Sequence, residues 1–462
     1  MATVLPALSN KPEQLVEMAI AAGAADVEVY WSASTTRQVT FEGNRLTQVD
    51  TVESQGIALR VWQEGRCGLA VACGPVDADL LVQKALAVSQ LGQAGDLHTK
   101  ELQLRSIELS DRSPASWDIE PFELTIDALV EIGREGIAQL RDLQPDVICN
   151  GELSWETATT GLLNSRGMAC QFVDYSSDGY LGVEWVRGDD FLELDAGQSV
   201  SPRPGQPVQD LEVERWVEAI ERRLQWAADF VEISGARYPV ILLPSATELL
   251  LDSAVAALDG RQLARRASPW YDKQGGQVMS SLLSLSQHPL LGPFGVPFDD
   301  EGVATQAVNF VEDGVLQQGF CDRRFASILG VSSTGNGFRP GLNNYPEPGL
   351  VNLVLPEPSV SFAQLLARMG TGLLVERVMG NWGELSGEFS VTVELGYWVD
   401  SGKIVGRVKD VMLAGNAYSA LNAVELLGAS PDWFSTQVGM DWAGAYCVPS
   451  ILVREMSAIA RE

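Results

Sequence analysis

The chain predicts an α+β fold in two lobes, and three observations carry that prediction. The first is length: 462 residues exceed what one hydrophobic core comfortably supports, since single cores stop growing near ~250–300 residues. The second is an N-terminal half in which helical stripes take turns with period-two stretches. The third is a change beyond Pro239, where glycine and strand patterns dominate and Phe389, Val391, Val393, Leu395, Tyr397 and Val399 alternate without a break. These features divide the chain into an α+β region over 1–110, a middle α+β region over 111–235 and a β-rich domain over 236–462. Helices of the first half are expected on mixed or antiparallel sheets.

In order along the chain, Asn10 and Glu13 form a capping-box-like pair, Leu15, Met18, Ala19 and Ala22 recur at helical spacing, and Gly23 stops the run. Val27, Val29 and Trp31 alternate as in a strand. Arg37 to Val49 reads as a hairpin turning at Gly43-Asn44, and Gly56 to Cys73 as a second one around Glu64-Gly65. A helix then ends at Gly92, and residues 93 to 120 are a polar connection. Thr125 to Leu143 is helical, and Val147 to Val186 holds alternating β-formers around an Asn164-Ser165-Arg166-Gly167 turn. After a proline-rich loop, Val213, Trp216, Val217, Ile220, Leu224, Ala227 and Ala228 form one stripe of a long amphipathic helix. That stripe packs on its own lobe or docks a partner, and the first is preferred. In the last domain, helices are expected near Ser245–Leu258, Phe362–Met369 and Tyr418–Leu427.

The composition is that of an ordinary globular protein, with 46% hydrophobic and 20% charged residues. Thirty-two basic against 61 acidic residues leave −29, a field that repels phosphate backbones, so direct nucleic-acid binding is not expected. The six cysteines lack Cys-x-x-Cys spacing and read as reduced thiols. The residues Met1 to Asn10 show neither a basic region nor a long apolar stretch. Pro239 to Leu258, the most apolar segment, is interrupted by Pro244, Glu248 and Asp252, which are costly in a bilayer. A cytoplasmic protein without a membrane span is expected.

Chemistry-bearing motifs are sparse. There is no Gly-x-Ser-x-Gly, no phosphate loop and no His-Glu-x-x-His, and the only two histidines, His98 and His288, have no second imidazole or thiol nearby in sequence. Asp299-Asp300-Glu301 lacks EF-hand spacing and reads as a turn with one functional carboxylate, Glu301. The segment Ser332 to Arg339, followed by Asn343-Asn344, combines glycines with polar groups. Gly335, Asn336, Arg339 and Asn343 there are candidates for gripping an extended peptide, because glycine exposes backbone groups and a guanidinium can hold a carboxylate with two prongs. An ordered loop explains the same composition equally well.

Several short stretches carry a resemblance in their order and spacing. They are Gly56-Ile57-Ala58-Leu59-Arg60-Val61 with Gly68-Leu69-Ala70, Asn164-Ser165 with Gly167, Phe298-Asp299-Asp300-Glu301-Gly302, Ser333-Thr334-Gly335-Asn336, Gly387-Glu388-Phe389-Ser390 and Ala414-Gly415-Asn416. Over nearly its whole length the chain resembles the TldD/PmbA family, often labelled modulators of DNA gyrase. The resemblance implies a cytosolic peptidase of two related subunit types, one carrying zinc on a His-Glu-x-x-x-His helix with a cysteine ligand, the other, PmbA or TldE type, without the metal ligands. The corresponding helix here, near Leu242 to Leu250, has no histidine, and Cys447, only two residues before Pro449, lies too close to the terminal strand to match the cysteine ligand. The chain is therefore expected to be the metal-free subunit, with no cofactor and no catalytic residues of its own. Glu388, Ser390 and Asn416 join Glu301, Gly335, Asn336, Arg339 and Asn343 as candidate peptide-cleft or interface residues. The expected partners are a zinc-bearing TldD-like subunit, or a second copy in a homodimer, and an unfolded peptide. The alternatives are a self-sufficient hydrolase using Glu301 or Glu388 with a borrowed ion, and a peptide-binding homodimer without catalysis.

Overall fold

The computed structural model describes residues 12–75, 77–92, 119–204, 210–355, 360–435 and 445–460. His98 and the polar connection fall outside them, apart from residues 119 and 120.

The first half runs α1 (Pro12–Ala21), β1 (Asp26–Glu42), β2 (Arg45–Gln63), β3 (Arg66–Cys73), α2 (Ala78–Leu91), α3 (Ile126–Leu143), β4 (Ile148–Asn164), β5 (Ala169–Arg187), β6 (Asp190–Val200) and α4 (Val213–Trp226). Its strands make one six-stranded sheet in the order β3-β2-β1-β4-β5-β6, antiparallel at every step. Both predicted hairpin turns are present: Gly43 and Asn44 have φ of 59° and 68°, Glu64 and Gly65 51° and 73°. Two successive left-handed residues match the twist of the flanking strands. Thr125 caps α3 by accepting from the Ala128 N–H, and Asp77 caps α2 through Leu80.

Helices cover this sheet through small-residue contacts. Leu129, Gly133, Gly136, Ile137 and Leu140 line the buried side of α3, and a Cβ on Gly133 would collide with the Phe41 ring. Gly161 in β4 lies against the buried Trp31 in the same way. The α4 stripe packs inward as preferred: Val213 through Ala227 are buried in a cluster with Leu153, Leu181 and Leu194, while Ala228 is exposed. One edge of the sheet is left bare. Strand β3 joins β2 only from Gly56 onward and Gly74 N–H reaches the Gln55 carbonyl, so Arg45–Ser54 pairs with β1 alone among the described strands.

The second half contains β7 (Ala236–Leu242), a 3-10 turn (Pro244–Thr247), α5 (Glu248–Leu258), α6 (Gly260–Ala264), β8 (Leu285–Gln287), β9 (Val308–Glu312), β10 (Val315–Leu316), α7 (Arg323–Leu329), β11 (Gly337–Phe338), β12 (Glu347–Pro348), β13 (Asn352–Val354), α8 (Phe362–Met369), β14 (Gly372–Asn381), β15 (Glu388–Asp400), β16 (Lys403–Arg407), β17 (Val411–Asn416), α9 (Ala417–Asn422), β18 (Val424–Ser435) and β19 (Ala445–Ala460). Its principal sheet follows β10-β9-β8-β13-β19-β17-β15-β14-β7, and β19 also pairs with β7. The strands β7, β14, β15, β17 and β19 thus close into a ring. The unbroken alternation of Phe389–Val399 is the centre of β15, with Val391, Val393, Leu395, Tyr397 and Val399 buried. The helix expected over Tyr418–Leu427 is shorter: α9 ends at Asn422, and from Val424 the chain pairs with β19 instead. Tertiary strand pairing overrides local helical spacing there.

The lobes share a core. Leu452, Ile241, Leu374 and Tyr397 lie in one row across β19, β7, β14 and β15 and pack in the same cluster as α3 and α4. A buried ion triad also joins them: Glu28 of β1 accepts from Arg60 of β2 at 2.8 Å and from Arg339 of the second lobe at 3.0 Å, all three side chains being almost fully enclosed. Two cations on one buried carboxylate satisfy both its oxygens, the condition under which such charges are tolerated.

Candidate functional site

Of the eight residues singled out from the sequence, seven fall into two groups, and Asn343 is exposed outside both. Glu301, Gly335, Asn336 and Arg339 belong to the buried layer that joins the lobes. Glu301 accepts from the Arg323 N–H at 2.8 Å and lies so close under Gly337 that a Cβ there would strike its carboxylate. Gly335 takes φ of 73° and abuts the Ala304 carbonyl. Asn336 donates to Gln287 Oε1 at 2.6 Å and to the Gly349 carbonyl at 2.7 Å. Arg339 spends its guanidinium on Glu28 and on the Asn344 carbonyl, and lies over the Tyr30 ring. Asp299, between them, accepts from the N–H groups of Glu301, Val303 and Gly337; burial still raises its pKa above the usual carboxylate range. Thr334 through Arg339 are buried, whereas Asn343 and Asn344 are exposed.

Glu388, Ser390 and Asn416 form the second group, on neighbouring strands. Glu388 stands opposite Asn416 and Ser390 opposite Ala414 in the β15–β17 ladder. Asn416 caps α9 through Ser419 and donates to Glu388 Oε1 and to the Ser386 carbonyl, each at 2.9 Å. Glu388 and Ser390 are exposed. Tyr418, in the first turn of α9, shares its single hydroxyl proton between the carbonyls of Ser253 and Leu385, each at 3.0 Å, which ties this group to α5.

Helix α5 is where the resemblance expects metal ligands. Thr247-Glu248-Leu249-Leu250-Leu251-Asp252 keeps the spacing of His-Glu-x-x-x-His with a hydroxyl and a carboxylate in place of the two imidazoles. Sequence reading missed Asp252, although this spacing was the signal for it. Its carboxylate is buried, accepts from Tyr446 OH at 2.9 Å and from Trp382 Nε1 at 3.1 Å, and is pushed up to about 6 by desolvation. Both oxygens are already engaged, Thr247 turns its hydroxyl to the Pro244 carbonyl, and no three His, Cys, Asp or Glu gather to hold a metal among the described residues. This donor set does not fit zinc, which takes three or four His, Cys or carboxylate ligands. His288 is exposed, its backbone bonded to Asn352.

Beside α5 the lobes enclose a cleft of about 620 Å³. One wall is β6 with α4, and the other comprises Leu243–Ser245 ahead of α5, β14, and Trp433 and Phe434 of β18. Phe434 makes an edge contact with Tyr446 at 5.7 Å between centroids, so the Asp252 pair backs directly onto the cleft wall. Inside, Trp226 stacks on Phe362 at 5.9 Å, and Arg222 sits over Trp226 at 5.5 Å. Arg223 and Tyr397 both bond the buried Glu376, and Arg377 pairs with Asp195 across the lobes at 2.7 Å. A smaller hollow of about 290 Å³ extends the cleft along α4 past Arg215. Flat aromatic surface flanked by guanidinium groups suits a peptide segment better than a compact polar metabolite.

Residues 235–460 match the family model of the PmbA/TldA metallopeptidase C-terminal domain, and residues 27–89 that of PmbA/TldA metallopeptidase domain 1. The chain is similar to a metalloprotease PmbA homolog of Haemophilus influenzae, 27% identical over 423 residues and 88% of each chain. It is also similar to metalloprotease PmbA of Escherichia coli O157:H7, 32% identical over 216 residues; here the match spans 46% of each chain, about half the length of that relative. In fold it is similar to TldE from Thermococcus kodakarensis, with a TM-score of 0.82 at 21% identity over 97% of this chain and 99% of that one. The helix-covered antiparallel sheet, the closed C-terminal ring and these matches lead to one conclusion: the chain belongs to the TldD/PmbA family.

Proposed function

We propose that this chain is a peptide-holding subunit without a metal of its own, and that a zinc-bearing relative of the TldD type completes the peptidase. The observation that carries the reading is the pairing of an aromatic, arginine-flanked cleft with a helix whose carboxylate is committed to Tyr446 and Trp382. The cleft supplies binding surface, but the adjoining helix supplies no donor set able to make a hydroxide near neutral pH. An unfolded peptide lying along β6 and β14 would be held mostly through its backbone and by stacking, with little sequence demand. The names of the relatives, metalloproteases PmbA and TldD homologs, support peptide chemistry for the assembly.

The test is hydrolysis of an unfolded casein substrate by the purified chain alone, by a zinc-bearing relative from the same organism alone, and by the two mixed. Activity is expected in the mixture above either component, and chelator should abolish it. Robust chelator-sensitive hydrolysis by this chain alone overturns the reading in favour of a self-sufficient hydrolase, in which case metal analysis after dialysis should find a stoichiometric ion.

A further inference from the structure

The charges that line the interlobe cleft and the hollow beside it are not all matched. Arg223 is paired with Glu376, Arg377 with Asp195 and Arg215 with Glu212. Asp432 and Glu218 have no cation within ion-pair distance among the described residues, and Arg222, stacked over Trp226, has no carboxylate. Two carboxylates therefore stand against one guanidinium, and Glu218, one turn before Arg222 on α4, offsets that one. Asp432 lines both hollows and so marks their junction. Its Oδ1 accepts the Trp433 N–H at 2.9 Å, which fixes the carboxylate and leaves Oδ2 without a further hydrogen bond among the described residues. The Trp433 ring lies so close to Gly292 that a Cβ there would strike it. Partial desolvation raises the Asp432 carboxyl above its ordinary value, against the pull of the Trp433 N–H and of Arg215 and Arg223. A carboxylate that has lost part of its water and has no cation of its own gains by taking one up.

We infer that the cleft selects peptides by a lysine or arginine side chain, its cationic head seated at Asp432 and its methylene stem laid on Trp433. This rests on the peptide-holding reading of the same cleft and names what that peptide must carry. An indole next to a carboxylate is complementary to such a side chain at both ends. The stem covers apolar surface, and the ammonium or guanidinium meets the ring face and the free oxygen. The paired arginines add little repulsion, because each already has its carboxylate. An acidic side chain finds only Arg222, whose guanidinium lies over Trp226 and has Glu218 one turn away. The net charge of −29 works in the same direction, drawing basic segments toward the cleft and repelling acidic ones. Asp432 thus determines specificity, while the stacked pair Trp226 and Phe362 is indifferent to sequence.

The test is fluorescence anisotropy of the full chain with four acetylated and amidated peptides, alike except for lysine, arginine, glutamine or glutamate at one central position. At about 20 mM salt the lysine and arginine peptides should bind about fivefold tighter than the glutamine peptide, and the glutamate peptide weakest. Raising salt to about 0.5 M should bring all four within about twofold of one another. Asp432→Asn keeps an acceptor for the Trp433 N–H but removes the charge, and should bring the lysine and glutamine peptides within about twofold at low salt. Asp432→Lys should favour the glutamate peptide. Glu312→Gln removes an equal charge from an exposed position of β9 outside the cleft lining and should keep a preference of about fivefold. Equal binding of all four peptides by the unaltered chain overturns the selection while the peptide-holding reading stands; binding of none overturns both. A basic preference that survives Asp432→Asn, with the thermal unfolding midpoint unchanged, overturns Asp432 as the seat and assigns the preference to the net charge of the chain.

Discussion

The two lobes differ in how their sheets end. In the N-terminal sheet every step is antiparallel and the order β3-β2-β1-β4-β5-β6 does not close on itself; arginines bond carbonyls of Phe191, Glu193 and Asp195 along β6, whereas Arg45–Ser54 of β2 has no second strand beside it among the described residues. In the C-terminal lobe β19 reaches β13, β17, β18 and β7, and the ring has no end among its five strands. An open antiparallel sheet takes its stability from helices laid over it and keeps hydrogen-bonding groups to offer. A closed ring satisfies its own backbone and presents only side chains and loops. The interlobe cleft lies where the two kinds of sheet meet, and the bare β2 edge lies in the open one.

That contrast can be broken first at the joint. Glu28→Ala leaves Arg60 and Arg339 buried with no carboxylate between them, and should cost about 4 kcal/mol. Urea unfolding followed by tryptophan fluorescence and by far-ultraviolet circular dichroism should then give two transitions in place of one. A loss under ~1 kcal/mol with a single transition would mean that the shared apolar core alone couples the lobes. Within the open sheet, Gly161→Ala drives a methyl into the buried Trp31 ring and should destabilise by roughly 3 kcal/mol. A near-neutral result would mean that the Trp31 ring can move away from β4 at little cost.

Within the ring lobe the sharper probe is pH. Desolvation raises the Asp252 carboxyl from 3.8 to about 6, so the folded chain holds a proton that the unfolded chain releases. Its contribution is fully present below pH ~4 and is lost as pH rises through 6. Asp252→Asn should therefore be close to neutral at pH 4.5 and stabilising by about 2 kcal/mol at pH 8, read from urea midpoints. Equal effects at the two pH values would rule out a titrating Asp252. The smallest effect belongs to the cleft: Arg222→Ala should weaken binding of a fluorescent unfolded peptide about fivefold while leaving the unfolding midpoint unchanged.

Legibility in the sequence follows the same division. Gly43-Asn44 and Glu64-Gly65 specify their hairpins locally, and the α3 and α4 stripes announce their buried faces, because each signal lies within a few residues of what it determines. The short strands β8 to β13 carry no such signal; their pairing is decided by contacts far along the chain. The same is true of the site. Glu28 and Arg339 are 311 residues apart, and Asp252 and Tyr446 are 194 apart, so no local pattern could couple them. Glycines at 335 and 337 and the polar residues between Ser332 and Arg339 drew attention as a possible grip on ligand. Composition alone could not show that Asn336 and Arg339 have their hydrogen bonds inside the protein.

The position of β19 along the chain bears on how the protein is made. Every ring partner of Ala445–Ala460 is synthesised before it, β7 by about two hundred residues. While the ribosome is still translating that stretch, the six-stranded sheet has all its strands outside the exit tunnel and can form, but the second lobe is an unclosed ring with exposed strand edges. Nascent chains stalled before residue 445 should therefore show a protease-resistant first half and a second half bound by chaperones, and release of the last sixteen-residue strand should be the event that commits the lobe to its final shape.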